Sequence, residues 1–301
     1  MSQITWYILG AGSMGCLWAA YLRKKGLPVT LILREHHLES HQDILALRLT
    51  RSDEKLSFHV HTATSATINS PVSRLIVCTK AQDSLTALES IRRHLAHQCS
   101  ILLIQNGMGN QHTIAEAFSE QNIWAASSTD GAYLKQPFSV VHAGKGHTWI
   151  GPMNQSATTV FTELLDSFSL SVGVCDDIEH KLWQKLAINC CINGLTALFN
   201  CHNGELLDNG AHQEFLERLI AETTLVLQKS GYENSLLREQ VFEVSKATAR
   251  NTSSTCQDAR QGRKTELAFI NGFLIRQAAS FNISLPTHKK LMNLLKMKSI
   301  E

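Results

Sequence analysis

Apolar positions follow two different rules along this chain. In the first half, residues 5–9, 28–34 (PVTLILR), 75–80 (LIVCTK) and 101–105 (ILLIQ) are short, almost unbroken apolar runs rich in β-branched residues. Runs of that length predict strands of a parallel sheet covered on both faces. Between the first two, residues 13–25 repeat at helical spacing and stop at Gly26. Added strands are expected over 124–129, 140–142 and 147–150, punctuated by Gly131, Gly144, Gly146 and Gly151. Beyond about residue 176 the spacing turns helical, over 178–199, 211–230, 234–250 and 264–281, with breaks only at Asn203-Gly204, Gly231 and Pro286. The pattern predicts an α/β domain over residues 1–175 and an all-helical domain over 176–301.

One helix breaks its own rule. Segment 183–193 (WQKLAINCCIN) is apolar on nearly every side except for Lys185, Asn189 and Asn193, which fall at i, i+4 and i+8 on one stripe. A helix this apolar should be buried, and a buried ammonium with two amides is costly unless something polar lies against it. Two readings stay open: a structural seam that satisfies neighbouring carbonyls, or a wall that holds a polar substrate.

The first turn of the first half carries a ligand motif. Gly10-Ala11-Gly12-Ser13-Met14-Gly15 fits G-x-G-x-x-G, follows a strand and opens a helix. In that context it reads as a dinucleotide fingerprint of a Rossmann-type domain. Gly10 makes the tight turn, Gly12 lets the backbone approach a pyrophosphate, and Gly15 lets the helix pack on the strand. The pyrophosphate then meets free N–H groups at the positive end of the helix. The second strand ends in Arg34 where NAD sites usually carry an acid. A guanidinium pairs with a ribose 2′-phosphate, so the expectation is NADP(H) over NAD(H). Lys80 and Asn106, at two other strand ends, face the same ligand side: Lys80 toward a phosphate or carboxylate, Asn106 toward ribose or nicotinamide. For each the alternative is an ordinary loop residue.

Totals narrow the field. The 301 residues are 44% hydrophobic, enough for a large core, and the net charge of +2 is spread without a basic face, which argues against nucleic acid. The basic run Lys289, Lys290, Lys296, Lys298 reads as a solvated helix face. Eight cysteines, none in a C-x-x-C pair, read as small buried hydrophobes of a reducing compartment. His36-His37 and His59/His61 lack a second ligand cluster, so no metal is expected. No apolar run reaches about 18 residues, and a soluble cytoplasmic protein is expected.

In the second half, Glu266 is expected to begin a helix and to share a face with Phe269, Ile270 and Phe273, either at a solvent edge or against a polar partner. The hydroxyl and amide run 251–255 either binds a carboxylate or caps the next helix, and spacing alone favours the cap.

Taken together, GAGSMG at 10–15, Arg34, the Lys80 strand end, QNGMG at 105–109, LWQKLAINCCIN at 182–193, NGEL at 203–206, SSTCQD at 253–258 and TELAFINGF at 265–273 resemble the ketopantoate reductase (2-dehydropantoate 2-reductase) family of pantothenate and coenzyme A synthesis. The resemblance covers nearly the whole chain. It implies that Lys185 is the general acid, and that Asn106, Asn189, Asn193, Asn203, Ser254 and Glu266 contact the substrate. Lys80, Asn106, Ala132 and Glu266 fall on cofactor-side positions. The partner it implies is a small 2-oxo acid, ketopantoate, with neither nucleic acid nor membrane, in a monomer or a homodimer. Gly194 stands where the family often has proline, and Thr255-Cys256 replaces a more hydrophobic pair. Both bear on which 2-oxo acid fits. Two alternatives remain: a reductase of another 2-oxo acid, and a non-catalytic NADP-sensing regulator. The regulator has no use for Lys185 and Glu266 at one site.

Overall fold

A computed structural model describes residues 4–35, 43–52, 54–157, 161, 164 and 170–300, and His36 and His37 lie outside them. Its contacts divide the chain into two units, Met1–Gln105 with Asn110–Ile178, and Asn106–Gly109 with Glu179–Glu301.

Among the described residues the first unit is built on an eleven-stranded sheet. Its elements in chain order are β1 (Trp6–Leu9), α1 (Ser13–Lys24), β2 (Val29–Ile32), β3 (Ile44–Arg51), β4 (Glu54–Ala63), β5 (Val72–Val77), α2 (Ala81–Ile91), β6 (Leu95–Leu103), α3 (Asn110–Ala117), β7 (Asn122–Ser128), β8 (Gly131–Gln136), β9 (Ser139–Gly144), β10 (Thr148–Pro152) and β11 (Val172–Val174). The strand order is β11-β10-β7-β6-β5-β1-β2-β4-β3-β9-β8. Strands β7, β6, β5, β1, β2 and β4 pair in parallel. This is the α/β arrangement expected from the short apolar runs.

Those runs are unbroken because each strand feeds two cores. Trp6 and Ile8 of β1 point into one apolar cluster and Tyr7 and Leu9 into the other. Ile76 of β5 and Leu102 of β6 join the first, while Leu75, Val77, Ile101 and Leu103 join the second. Helix α1 closes the first cluster through Cys16, Leu17, Trp18 and Tyr21, and α2 and α3 close the second through Leu88, Ile91 and Ile114. Period-2 alternation is present in the backbone, but both faces want apolar side chains.

The β3–β4 hairpin falls outside the sequence expectations. Its strands alternate between buried Leu47, Leu49 and Val60 and exposed polar neighbours, and pair antiparallel from Ile44–His61 to Arg51–Glu54. The edge ribbon β8–β9 is fixed to α1 by a buried polar chain. The Tyr21 hydroxyl lies 2.6 Å from His142 Nδ1, and His142 Nε2 lies 3.0 Å from Asp130 Oδ1. Burial pushes the Asp130 carboxyl up, but hydrogen bonds from His142, Gly146 N–H and Ser128 outweigh it and hold its pKa below the usual value.

The second unit contains α4 (Ile178–Phe199), α5 (Glu205–Asp208), α6 (Gly210–Lys229), α7 (Leu237–Ala247), α8 (Ser254–Arg260), α9 (Asn271–Ser280) and α10 (Pro286–Met297). Asn209 caps α6, its side chain accepting from the N–H groups of Ala211 and His212. Leu186, Leu195, Leu219, Val226, Leu274, Leu291 and Leu295 are fully buried core residues of this unit. Lys289, Lys290, Lys296 and Lys298 are exposed. His288 is wholly buried between Asn271 Nδ2, 3.1 Å from its Nδ1, and Thr223 Oγ1, 3.1 Å from its Nε2. Desolvation pushes its pKa down to about 4.

One expected helix is shorter than its periodicity suggests. The pattern over 264–281 is helical only from Asn271, and Glu266 lies in a turn ahead of α9 instead of starting it. The Phe269 carbonyl explains the break. In a continuous helix it would accept from residue 273, but here it accepts from Met108 N–H at 2.9 Å. The turn is closed by Ile270 N–H on Glu266 O at 3.0 Å and Gly272 N–H on Leu267 O at 2.9 Å.

Candidate active site

The glycine loop of the first unit has the shape a pyrophosphate requires. Gly10 has φ +102°, and a Cβ there would lie 2.9 Å from Thr79 N. A Cβ on Gly15 would lie 1.9 Å from the Gly10 carbonyl oxygen, so only glycine lets α1 start this close to β1. Gly12, the N-cap of α1, has nothing within 4 Å of where its Cβ would be, and no side chain caps the helix. The loop is therefore tight on its protein side and open at Gly12, with the N–H groups of the first turn, Ser13 and Met14 included, at the positive end of a twelve-residue helix. Ala11 and Met14 pack partly against the α1 cluster. These residues fit a dinucleotide.

Arg34 lies two residues past β2, exposed, with Nη2 3.0 Å from Asp83 Oδ2. Lys80 is the N-cap residue of α2, and its carbonyl accepts from Ser84 Oγ at 2.9 Å. Ala132 belongs to β8, paired with His142, and its side chain packs against the α1 cluster.

The second unit brings three expected residues together. Lys185 Nζ donates to Asn106 Oδ1 at 2.9 Å, and Asn106 Nδ2 donates to Glu266 Oε2 at 2.8 Å. Chemistry fixes the amide orientation, because an ammonium can only donate and a carboxylate can only accept. One side chain thus ties a cation on α4 to a buried anion in the turn before α9. Asn106 is held in place by its neighbour. Gly107 has φ +80°, and a Cβ there would lie 2.3 Å from Phe269 O, so Asn106–Gly109 packs backbone against backbone on the 266–270 turn. A charged donor fixed by two matched hydrogen bonds is suited to meet a developing oxyanion.

Asn189 and Asn193 follow Lys185 along the same helical stripe, and among the described residues neither side chain has a hydrogen-bond partner. Asn203 donates from Nδ2 to Thr248 Oγ1 at 2.8 Å, while its buried Oδ1 has no partner among the described residues. In the 251–255 run it is Ser253 that caps, its Oγ accepting from Cys256 N–H at 3.1 Å and lying 2.7 Å from Thr196 Oγ1. Ser254, next in the chain, is exposed at the start of α8. The hydrogen bonds of the Lys185 cluster thus gather Asn106 and Glu266, and leave Asn189, Asn193, Asn203 and Ser254 outside it. Gly194 points into the core, where a Cβ would lie 3.0 Å from Leu291 and 3.4 Å from Leu267. Thr255 and Cys256 are buried as well.

Asp83 carries no motif signal and emerges only from the structure, whereas Asn271 lies within the 265–273 block without an expected role there. Asn271 Nδ2 donates to the Cys190 carbonyl at 2.8 Å, gripping α4 inside the polar stripe. Among the described residues no group of three His, Cys, Asp or Glu side chains could hold a metal ion. No helix of the described residues is long and apolar enough to cross a membrane.

A Rossmann-type nucleotide unit joined to a helical unit with a lysine–amide–carboxylate site defines the class. Two family models match the chain, "Ketopantoate reductase PanE/ApbA" over residues 6–155 and "Ketopantoate reductase PanE/ApbA C terminal" over residues 177–299. The 2-dehydropantoate 2-reductase of Escherichia coli O157:H7 is 34% identical over 298 residues, covering 98% of this chain and 95% of that protein. A solved probable 2-dehydropantoate 2-reductase from Bacillus subtilis superposes with TM-score 0.80 at 28% identity, covering 99% and 100% of the two chains. A ketopantoate reductase of this type from Ralstonia eutropha JMP134 has the same fold, with TM-score 0.88 at 24% identity over 98% of each chain. The chain belongs to the ketopantoate reductase family.

Proposed function

We propose that this chain reduces 2-dehydropantoate (ketopantoate) to (R)-pantoate with NADPH, the step its relatives are named for. The observation that carries the reading is the hydrogen-bonded series Lys185–Asn106–Glu266. NADPH, when bound, supplies the hydride. Residues 10–15 receive its pyrophosphate, Arg34 its 2′-phosphate, and Lys80 adds positive charge on the same side of the sheet. Lys185 donates its Nζ proton to the oxygen of the substrate 2-oxo group as negative charge develops there. Asn106 fixes the ammonium, and Glu266 anchors Asn106. Asn189 and Asn193 offer unpaired amides to the hydroxyl and carbonyl groups of the substrate. Asn203 contributes its unpartnered buried oxygen, and Ser254 binds the substrate carboxylate.

The proposed division of labour is a nucleotide domain over residues 1–175 and a substrate domain over 176–301, with Asn106 working on the substrate side. We further propose that the enzyme acts in the cytoplasm, because its eight cysteines are free and burial pushes the Cys16, Cys99 and Cys191 thiols up to about 12. The regulator alternative loses its support, since Lys185 and Glu266 share one amide. A change of oxo acid through Gly194 is disfavoured by its packing against Leu267 and Leu291.

The test follows NADPH absorbance with purified protein and a panel of 2-oxo acids. Oxidation with 2-dehydropantoate at a kcat/KM at least about tenfold above the other acids supports the reading. No oxidation at millimolar 2-dehydropantoate overturns it.

A further inference from the structure

The pairing of Arg34 with Asp83 bears on cofactor choice. Strand β1, which leads into the glycine loop, is flanked by β2 and β5, both parallel to it. Arg34 leaves the sheet just after β2. Asp83 lies in the first turn of α2, which follows β5, and its N–H donates to the Lys80 carbonyl at 2.9 Å. The 3.0 Å ion pair therefore joins the two segments that leave the sheet on either side of β1. Both partners are well exposed, at 65% and 44%, so the pair is weak and opens readily.

We propose that Asp83 is a specificity-determining residue that lowers the preference of this enzyme for NADPH over NADH. The proposal rests on the assignment of Arg34 to the 2′-phosphate. A 2′-phosphate that takes Arg34 either displaces the Asp83 carboxylate from Nη2 or shares the guanidinium with it, and in both cases lies close to it, two anions competing for one guanidinium. NADH carries no such phosphate. It leaves the Arg34–Asp83 pair intact, and its ribose 2′-hydroxyl can donate to the carboxylate, the role an acid plays in NAD sites. Like charges a few ångströms apart in a solvent-exposed setting weaken binding by about three- to tenfold per unit charge. Asp83 thus opposes the discrimination that Arg34 provides.

The experiment measures Kd for NADPH and for NADH by isothermal titration calorimetry, with nicotinamide fluorescence as a second readout. The proteins compared are the wild type, Asp83→Asn, Asp83→Glu and Arg34→Ala. Asp83→Asn is expected to tighten NADPH about three- to tenfold and to leave NADH equal or weaker. The NADH/NADPH Kd ratio then rises, and added salt shrinks the difference. Asp83→Glu should keep the wild-type ratio within about twofold. If Asp83→Asn leaves the ratio within about twofold of wild type, or lowers it, the proposal is overturned. Arg34→Ala separates that failure from a failure of the cofactor assignment. A ratio that collapses in Arg34→Ala but does not rise in Asp83→Asn removes only the role of Asp83. A ratio unmoved by either variant removes both.

Discussion

Replacing Asn106 with alanine removes both ends of the bridge in one step. The ammonium of Lys185 loses an acceptor at 2.9 Å, and the buried carboxylate of Glu266 loses a donor at 2.8 Å. Each is a hydrogen bond to a charged group, which contributes roughly 1.5–3 kcal/mol. If the Lys185 bond serves to aim the ammonium at the reacting oxygen, its loss appears in the transition state at about that size. Each 1.36 kcal/mol is tenfold in rate, so kcat for 2-dehydropantoate should fall about ten- to 150-fold. The Glu266 bond adds a stability loss of roughly 1–3 kcal/mol, because a buried acceptor is left short of a donor. Steady-state kinetics at saturating NADPH and urea unfolding of the same preparations measure the two effects. NADPH Kd reports whether the cofactor site has also changed. A variant with kcat within about twofold of wild type would refute the reasoning, because the bridge would then only hold the fold together. A large stability loss with normal kcat would refute it equally.

Gly107→Ala should mimic Asn106→Ala and add instability. A methyl 2.3 Å from the Phe269 carbonyl, at φ +80°, cannot be accommodated without moving the 106–109 segment. A melting experiment should show a loss of about 2 kcal/mol or more, with kcat falling alongside. Gly15→Ala places a methyl 1.9 Å from the Gly10 carbonyl and should weaken NADPH binding about tenfold or more by calorimetry, an outcome absent if the loop does not hold the cofactor. His288 gives the chain a pH dependence. Its folded pKa of about 4 lies below its ordinary value of 6.5, so the unfolded chain takes the proton first. Stability is full above about pH 6.5 and declines as pH falls toward 4, by roughly 3 kcal/mol over about 2.5 pH units at 1.36 kcal/mol each. Urea unfolding of His288→Gln at about pH 7 and about pH 4.5 should show that decline flattened relative to wild type. An equally steep decline would remove His288 as its source.

Strands β1, β2, β5 and β6 could be read from sequence because both their faces are apolar, which leaves an unmistakable run. The β3–β4 hairpin could not, since its buried leucines alternate with exposed Arg48, half-buried Thr50 and exposed Ser57 and resemble an irregular polar stretch. The polar stripe on α4 was visible as a periodicity, but its partner was not. Asn106 lies 79 residues from Lys185, and its place after a strand pointed to the cofactor before it pointed to the substrate. The helical spacing over 264–281 is real, yet the helix breaks at residue 270 because the Phe269 carbonyl is claimed by Met108. No local pattern encodes that long-range bond. Asp83 was invisible for the same reason, since its partner Arg34 lies 49 residues away.

The claim on which the rest depends is that Lys185 delivers the proton. Its most direct test is kcat of Lys185→Ala with 2-dehydropantoate and saturating NADPH, after calorimetry has established that the variant binds NADPH as the wild type does. Loss of a positioned charged acid should lower kcat by about 10²- to 10⁴-fold. A kcat within about threefold of wild type would contradict the account and remove Lys185 from the chemistry.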